Sequence, residues 1–439
     1  MMGGDWFEPL RNITIFFATC MLLKYWIFML VAPWHTVKEE LRQRRIRNKA
    51  PRRYKTYRPL VSVIVPAWNE EVGLLKTVRS LLKNSYPRLE IVVVNDGSVD
   101  GSDQKMREFI KRRNRLVMQG AATYGKMVRY CYKENGGKGH ALNYGIERSK
   151  GEIVVTMDAD SIFAPDAIEN LVAYFRDPKI AAAVGNVKVA RNNTLLGHLQ
   201  QLEYQFGFYF KRTHSVLNAE YIYGGACAAF RRDKTFNAFG LFDTENKTED
   251  IEMSLRTRFY GLHAVYAEDA ICYTEGASTL LGLLNQRLRW KKGRINTFGK
   301  YRQMFFSTKR HHSWWLTFFV LPYSVLGELQ LLFEPIGVMF LLSYSFISGD
   351  YLSLGVGVLF IFVMYLVVGV FNQKSIDLRL LAKFPFTWPL FYLTTWIEYL
   401  TLLKSLKLTL RGADVVWQQW ERKGVGSEIT APTEGSPLP

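Results

Sequence analysis

Cysteine is scarce and scattered: Cys20, Cys131, Cys227 and Cys272 are the four in 439 residues. No two stand at CxxC spacing, and none joins histidine in a metal-binding pattern. That argues against a zinc site and against a disulfide framework, and it suits a domain in a reducing compartment. The chain has no Walker A sequence either. Its glycine-rich turn Asn135-Gly136-Gly137-Lys138-Gly139 is too short and lacks a following Ser or Thr. No small-residue cleavage site follows the first hydrophobic run, Ile13 to Ala32, which Lys24 interrupts. This run reads as an uncleaved anchor.

Positive charge is abundant, with 57 Lys and Arg against 39 Asp and Glu and a formal charge of +18. Much of it clusters beside hydrophobic segments: Lys38 to Arg58, Arg287 to Arg294, and Lys309 to Arg310. Cytoplasmic loops of membrane proteins carry such clusters. A bilayer and a nucleotide therefore explain the charge better than nucleic acid, and no nucleic-acid partner is expected. After Arg310 come three more apolar stretches, Trp314 to Phe346, Tyr351 to Phe371 and Phe386 to Leu408. Pro322, Glu328, Glu334 and Pro335 suggest an interfacial helix running into a kinked span. Three crossings would leave the C-terminus outside, whereas Lys404, Lys407, Arg411, Arg422 and Lys423 place it inside. Either one segment does not cross or one crosses twice.

Between the hydrophobic ends, strand-like and helix-like stretches alternate. Leu60 to Pro66, Leu89 to Asn95, Lys126 to Lys133, Glu152 to Asp158 and Ile180 to Val189 are rich in Val, Ile or Ala. Helical patterns separate the first four, which predicts an α/β domain with a mainly parallel sheet. The expected organisation is an anchor over 1–33, a basic linker over 34–58 and a catalytic domain over 59–278. Interfacial amphipathic helices over 279–312, transmembrane helices over 313–411 and a tail over 412–439 follow.

Ligands of such sheets bind beyond the carboxyl ends of the strands, so the residues there are the candidates. The first strand ends in Pro66, followed by Asn69 and Glu70. The second ends in Asn95-Asp96-Gly97-Ser98, where a carboxylate can take nucleoside donors and a glycine admits close backbone approach. An ordinary Asp-Gly turn is the plainer alternative. Gly136-Gly137-Lys138 opens a helix, and its free N–H groups with the Lys138 charge suit phosphate. Asp158 and Asp160, at i and i+2 of extended backbone, can face one Mg²⁺ or Mn²⁺ ion. Thr248-Glu249-Asp250 opens an amphipathic helix. Thr248 suits an N-cap and the acids suit a first turn, while a functional reading makes Asp250 a general base. Gln286, Arg289 and Trp290 share one helix face, offering an amide, a guanidinium and a ring. A basic helix lying on the bilayer is the alternative there.

In this order the five clusters resemble the inverting family-2 glycosyltransferases of membrane polysaccharide synthases. The likeness covers roughly Pro59 to Phe298 and is carried by VVVNDGS, TMDAD, Thr248-Glu249-Asp250 and QRLRW. It looks closest to bacterial poly-N-acetylglucosamine synthases; hyaluronan synthases tend to have GDD where this chain has TED. The resemblance implies a GT-A fold beside a transmembrane bundle, a UDP-sugar donor, and Mg²⁺ or Mn²⁺ on Asp160. Asp96 would contact uridine and Lys138 would lie near the nucleotide, with Pro66, Asn69 and Glu70 also at the donor. Asp158 would support the diphosphate or donor sugar. Asp250 would be the base, with Glu249 beside it. Gln286, Arg289 and Trp290 would hold diphosphate and acceptor, and the loop of Gly225, Ala226 and Cys227 would touch the acceptor terminus. Trp417 to Lys423, WQQWERK, is similar to a segment after the last membrane helix of that group.

The implied function is processive β-transfer, most simply of N-acetylglucosamine, into a polysaccharide threaded outward from a multi-pass plasma-membrane protein with a cytosolic catalytic domain. The growing polymer and the bilayer are then partners, with room for a small accessory membrane subunit. Transfer of a single sugar to a lipid-linked acceptor is the second reading. A non-catalytic sugar-binding subunit is the third, which the intact Asp158, Asp160 and Asp250 disfavour. Two features depart from the resemblance: Lys291-Lys292 follows Trp290 where small residues are expected, and one hydrophobic segment precedes the catalytic domain where several relatives have two.

Overall fold

The computed structural model describes residues 25–415 apart from 119–125, 191–193, 350 and 373–383, with a few isolated positions toward either end. Nine of the twenty residues of the expected Ile13–Ala32 anchor, and all of WQQWERK, lie outside the described residues. Residues 25–31 are helical. The Phe28 carbonyl accepts a 3.0 Å hydrogen bond from Thr213 Oγ1.

The basic linker is largely helical. Helix α1 (Trp34–Lys49) and α2 (Pro51–Thr56) lead to the first strand. Lys38 Nζ donates to the carbonyls of Ser215, at 3.3 Å, and Val216, at 2.6 Å. Both carbonyls belong to the C-terminal end of α7 (Leu195–Val216), where a cation meets the negative end of the helix dipole.

The catalytic region holds one eight-stranded sheet in the order β3-β2-β1-β4-β7-β6-β8-β5. Its first half is built from β1 (Val61–Ala67), β2 (Leu89–Asp96), β3 (Lys126–Lys133) and β4 (Ile153–Thr156). These four pair in parallel, with α3 (Leu74–Leu82), α4 (Ser102–Met118) and α5 (Lys138–Glu147) between them. Strands β1 and β2 are buried along their whole length, as central parallel strands are. Alternate residues feed two cores: Val61, Val63, Val65, Ile91 and Val93 on one face, Ile64, Val92, Val94 and Val154 on the other. Each fully buried Val or Ile contributes roughly 1.5–3 kcal/mol.

The second half adds antiparallel pairings to a sheet in which four of the seven pairings are parallel. It contains β5 (Ser161–Phe163), β6 (Ile180–Val189), β7 (Ala228–Arg231) and β8 (His263–Thr274), with α6 (Ala167–Tyr174) and α7 between them. Strand β7 runs antiparallel to both β4 and β6, and β5 runs antiparallel to β8, while β6 and β8 are parallel. The sheet is mixed. The reversal of β7 brings its starting end, just after Gly225-Ala226-Cys227, to the carboxyl end of β4.

After β7, α8 (Phe236–Phe239) and α9 (Glu249–Phe259) precede β8, and α10 (Leu280–Lys300) follows it. The apolar C-terminal part forms α11 (Leu321–Ser348), α12 (Leu352–Asn372) and α13 (Phe384–Leu410). A π-helical turn, Trp315–Val320, enters α11, and Pro335 lies inside it. Among the described residues one helix, Trp315–Ile347, is long and apolar enough to cross a membrane, with a mean hydropathy of 1.7. The described apolar part of α12, Val358–Val368, is shorter.

Candidate active site

Strand ends bring the candidate residues toward one edge. Two loops there are stitched together. The Val99 amide donates to Asn69 Oδ1 at 2.8 Å, the Asn69 amide to Ser98 Oγ at 2.9 Å, and the Glu70 amide to Ser102 Oγ at 2.9 Å. Asn69 adopts φ 54°, a left-handed conformation asparagine tolerates better than most residues. Its side chain thus holds the loop that follows β2. Pro66 is buried within β1, in register with Val94, and Glu70 is buried as well.

Asp96 is 3% exposed and both its oxygens are engaged. Gly136 N–H reaches Oδ1 at 3.0 Å, Gly137 N–H reaches Oδ2 at 2.7 Å, and Lys133 Nζ lies 2.5 Å from Oδ1. Lys133 carried no signal in the sequence, because its charge belonged to an ordinary strand end. Gly97, at φ 69°, lets the chain turn away, and a Cβ there would sit 2.6 Å from the Asn135 nitrogen. Asp96 therefore fastens the glycine-rich turn that starts α5.

That turn delivers Lys138 to the centre of the site. Lys138 Nζ is 2.6 Å from Asp158 Oδ1 and 3.3 Å from Glu249 Oε1. Burial works against its charge, but Asp158, Glu249 and Asp250 outweigh that and hold the ammonium above its ordinary value. Glu249 is 5% exposed. Burial raises its carboxyl above the ordinary range; Lys138 opposes the rise, Asp250 adds to it, and Arg289 is near enough to pull it down. The Asp250 carboxylate accepts from the Gly225 amide at 3.0 Å and from the Ile251 amide at 2.9 Å. A Cβ on Gly225 would lie 2.8 Å from Lys138 Nζ and 3.5 Å from Asp250 Oδ2. Lys138, Asp158, Glu249, Asp250 and Gly225 thus form one contiguous group.

Asp160, two residues past Asp158, accepts from Ser161 Oγ at 3.3 Å and Thr274 Oγ1 at 3.4 Å. Among the described residues no group of three or more His, Cys, Asp or Glu gathers to hold a metal ion. Tyr204 of α7 stands close by, a residue the sequence did not single out. Burial, with Glu203, Asp160 and Asp158 adding and Arg287 opposing, pushes its hydroxyl up to about 12.

Of the acceptor candidates, Gly225 faces the group, but Ala226 and Cys227 turn inward. The Cys227 side chain is fully buried in the core. A Cβ on Gly185 would lie 2.3 Å from its sulfur, so the two pack against each other. The thiol therefore does not reach the site.

Thr248 does not cap α9 with its side chain. Its hydroxyl donates to Asn246 Oδ1 at 3.1 Å. Its side chain packs onto α10 where Gly293 leaves room, since a Cβ on Gly293 would sit 2.0 Å from Thr248 Oγ1. Glu252 Oε1 takes Lys300 Nζ at 2.8 Å and the Tyr301 hydroxyl at 2.6 Å. The helix bearing Gln286, Arg289 and Trp290 is thus packed against the helix that begins with Glu249 and Asp250. Gln286 is buried, Arg289 and Trp290 are half-buried, and the Arg287 guanidinium lies 4.5 Å from the Trp290 ring centre.

The model of Glycosyl transferase family 2 matches residues 62–236, and that of Glycosyl transferase family group 2 matches residues 153–372, half of the chain. The protein belongs to this glycosyltransferase family, and it is an enzyme of that class. The poly-beta-1,6-N-acetyl-D-glucosamine synthase of Staphylococcus epidermidis is 30% identical over 236 residues, 53% of this chain and 54% of that protein. The protein of the same name from Staphylococcus aureus (strain COL) matches at 30% over 236 residues, with the same 53% and 54% covered. The chain spans about half the length of the curated relatives it matches. A mannosyltransferase from Pyrobaculum calidifontis, solved in complex with GDP-Man and Mn²⁺, superposes with a TM-score of 0.57 at 21% identity, covering 89% of this chain and 99% of that one. The shared fold is a GT-A-like sheet domain.

Proposed function

We propose that this enzyme is a processive inverting β-glycosyltransferase that polymerises a UDP-sugar, N-acetylglucosamine, into an extracellular polysaccharide. The observation that carries the reading is the Asp250 carboxylate, fixed by the Gly225 amide beside the Lys138–Asp158 pair. The name of the staphylococcal relatives supports the choice of sugar.

In this reading Asp250 takes the proton of an acceptor hydroxyl as its oxygen attacks the anomeric carbon. The new C–O bond forms on the face opposite the departing phosphate oxygen, the old C–O bond breaks, and UDP leaves with inversion. Lys138 and Arg289 offset charge on the diphosphate. Asp96 and the turn it holds take the uridine, with Pro66, Asn69 and Glu70 framing that end. Asp158 orients the donor, Gln286 and Trp290 the acceptor, and Gly225 its terminus, with the backbone of Ala226 and Cys227 behind it.

Asp160 suits Mg²⁺ or Mn²⁺. One or two protein carboxylates, completed by substrate phosphates and water, are the usual surroundings of such an ion. The Pyrobaculum mannosyltransferase, solved with Mn²⁺, is consistent with that. Bound there, the ion supplies neutralising charge to the leaving diphosphate.

The Trp315–Ile347 helix and the apolar helices beside it would form the multi-pass plasma-membrane part, with the sheet domain cytosolic and the polymer passing outward. A small accessory membrane subunit fits this arrangement, and nucleic acid does not. The test is a panel of UDP- and GDP-sugars offered to membranes containing the protein with Mg²⁺ or Mn²⁺. UDP release from UDP-N-acetylglucosamine with a long labelled product supports the reading. A capped mono- or disaccharide product defeats processivity, and release of GDP alone defeats the donor.

A further inference from the structure

Helix α10 presents two stripes. Arg289 is near enough to Glu249 to lower its carboxyl and Gly293 packs on Thr248, and Gln286 and Trp290 share their stripe by spacing. Arg287, Lys291 and Arg294, spaced by four and three residues, share the neighbouring face. Each cation of this second stripe meets an acid from another helix. Arg287 Nη2 is 2.6 Å from Glu203 Oε2 of α7, and Arg287 Nε is 3.6 Å from Glu398 Oε1 of α13. Lys291 Nζ is 2.6 Å from Glu328 Oε2 of α11 and 2.8 Å from Glu398 Oε2. Arg294 Nη1 is 2.9 Å from Glu328 Oε1. Three cations face three carboxylates, and the Lys291 side chain is only 8% exposed. Losing one partner from so buried a network leaves a charge uncompensated, so the arrangement is held to a single register.

The first stripe of α10 is equally fixed, through Gly293 on Thr248 and Lys300 on Glu252. A shift of α10 along its axis would therefore move Arg289 and Trp290 relative to Asp250. Lys291 binds both α11 and α13 at under 3 Å, and so ties that axis to the apolar helices.

We propose that Lys291, clamped between Glu328 and Glu398, is a positioning residue that sets where Arg289 and Trp290 stand at the transfer centre and links the apolar helices to catalysis. The proposal rests on the functional reading above. It also accounts for the basic pair after Trp290: Lys291 is matched by acids on the apolar helices, and Lys292 Nζ reaches Thr409 Oγ1 at 3.1 Å.

The test compares the full-length parent with Lys291→Met, Lys291→Arg and Glu398→Gln in membranes and detergent. Lys291→Met is expected to lower kcat by about tenfold or more, because misplacement of positioning groups is costly, while KM for the donor stays within about threefold. Lys291→Arg keeps the charge and should return kcat to within about threefold of the parent. If Lys291→Met does not fold, Glu398→Gln, which keeps size and polarity, should show the same kcat loss. A parental kcat in Lys291→Met, or in Glu398→Gln where Lys291→Met does not fold, overturns the proposal, as does a loss that Lys291→Arg does not restore. If the parent turns over no nucleotide sugar, the functional reading fails. Hydrogen exchange then decides the coupling: faster exchange over Glu249–Phe259 in Lys291→Met, reversed in Lys291→Arg, supports it, and unchanged exchange refutes it.

Discussion

The Gly225 amide donates to the Asp250 carboxylate at 3.0 Å, joining the start of β7 to the start of α9. This bond crosses the site from the β4 side of the sheet to the helix packed on α10. It leaves the second carboxylate oxygen turned to its own helix, accepting from the Ile251 amide. A Cβ at this position would press on Lys138 Nζ, 2.8 Å away.

Gly225→Ala should accordingly displace Lys138 or stretch the bond to Asp250. The flexible end of a lysine can yield, so stability should fall by no more than about 1–3 kcal/mol. Turnover should drop by about tenfold or more, because the base and the cation beside it move together. Steady-state UDP release and thermal unfolding in detergent measure the two effects. Turnover equal to the parent's would detach Gly225 from the site.

Asp160→Ala should remove metal-dependent UDP binding while leaving the fold intact, since Asp160 is only partly buried and its bonds to Ser161 and Thr274 are long. Calorimetric titration of UDP with Mn²⁺, and again in chelator, checks this. The parent should bind UDP more tightly with metal by about tenfold, and the variant should bind equally in both. A variant that keeps the metal effect would place the ion elsewhere.

Glu249 gives a pH dependence with a definite sign. Its carboxyl is raised in the folded protein, by burial first, so the folded state holds a proton that the unfolded state has lost. Stability from this group falls as pH climbs from the ordinary value of 4.5 through the raised one. Glu249→Gln has no such proton, so its melting temperature relative to the parent should rise across that window. Thermal unfolding at stepped pH tests it, and parallel curves for the two proteins would contradict the assignment.

The strands that carry Asp96 and Asp158 were readable because each is a short apolar run ending in acids, and βαβ alternation sets their direction. The apolar helices near Trp315–Ile347, Leu352–Asn372 and Phe384–Leu410 were readable as hydrophobic runs, and among the described residues Trp315–Ile347 is the one long and apolar enough to cross a membrane. Strand β7 was not. Four residues, Ala-Ala-Phe-Arg, carry no pattern that says they run against their neighbours. Cys227 looked like part of an open loop, since nothing local shows that its sulfur fits the gap at Gly185. The partners that hold Asn69 and Asp96, Val99 on one side and the Gly136–Gly137 amides on the other, were not readable, because they are fixed only by tertiary structure. Lys291 looked out of place for the same reason, with its partner Glu328 standing 37 residues away.

The most direct measurement is UDP release from UDP-N-acetylglucosamine by membranes containing the parent or Asp250→Asn at matched amounts, with UDP affinity determined on both. The parent should turn over. Asp250→Asn should bind UDP within about threefold of the parent and lose roughly a thousandfold or more in rate, since removing a general base costs about 10²–10⁴. An Asp250→Asn protein that transfers sugar at the parental rate would contradict the account.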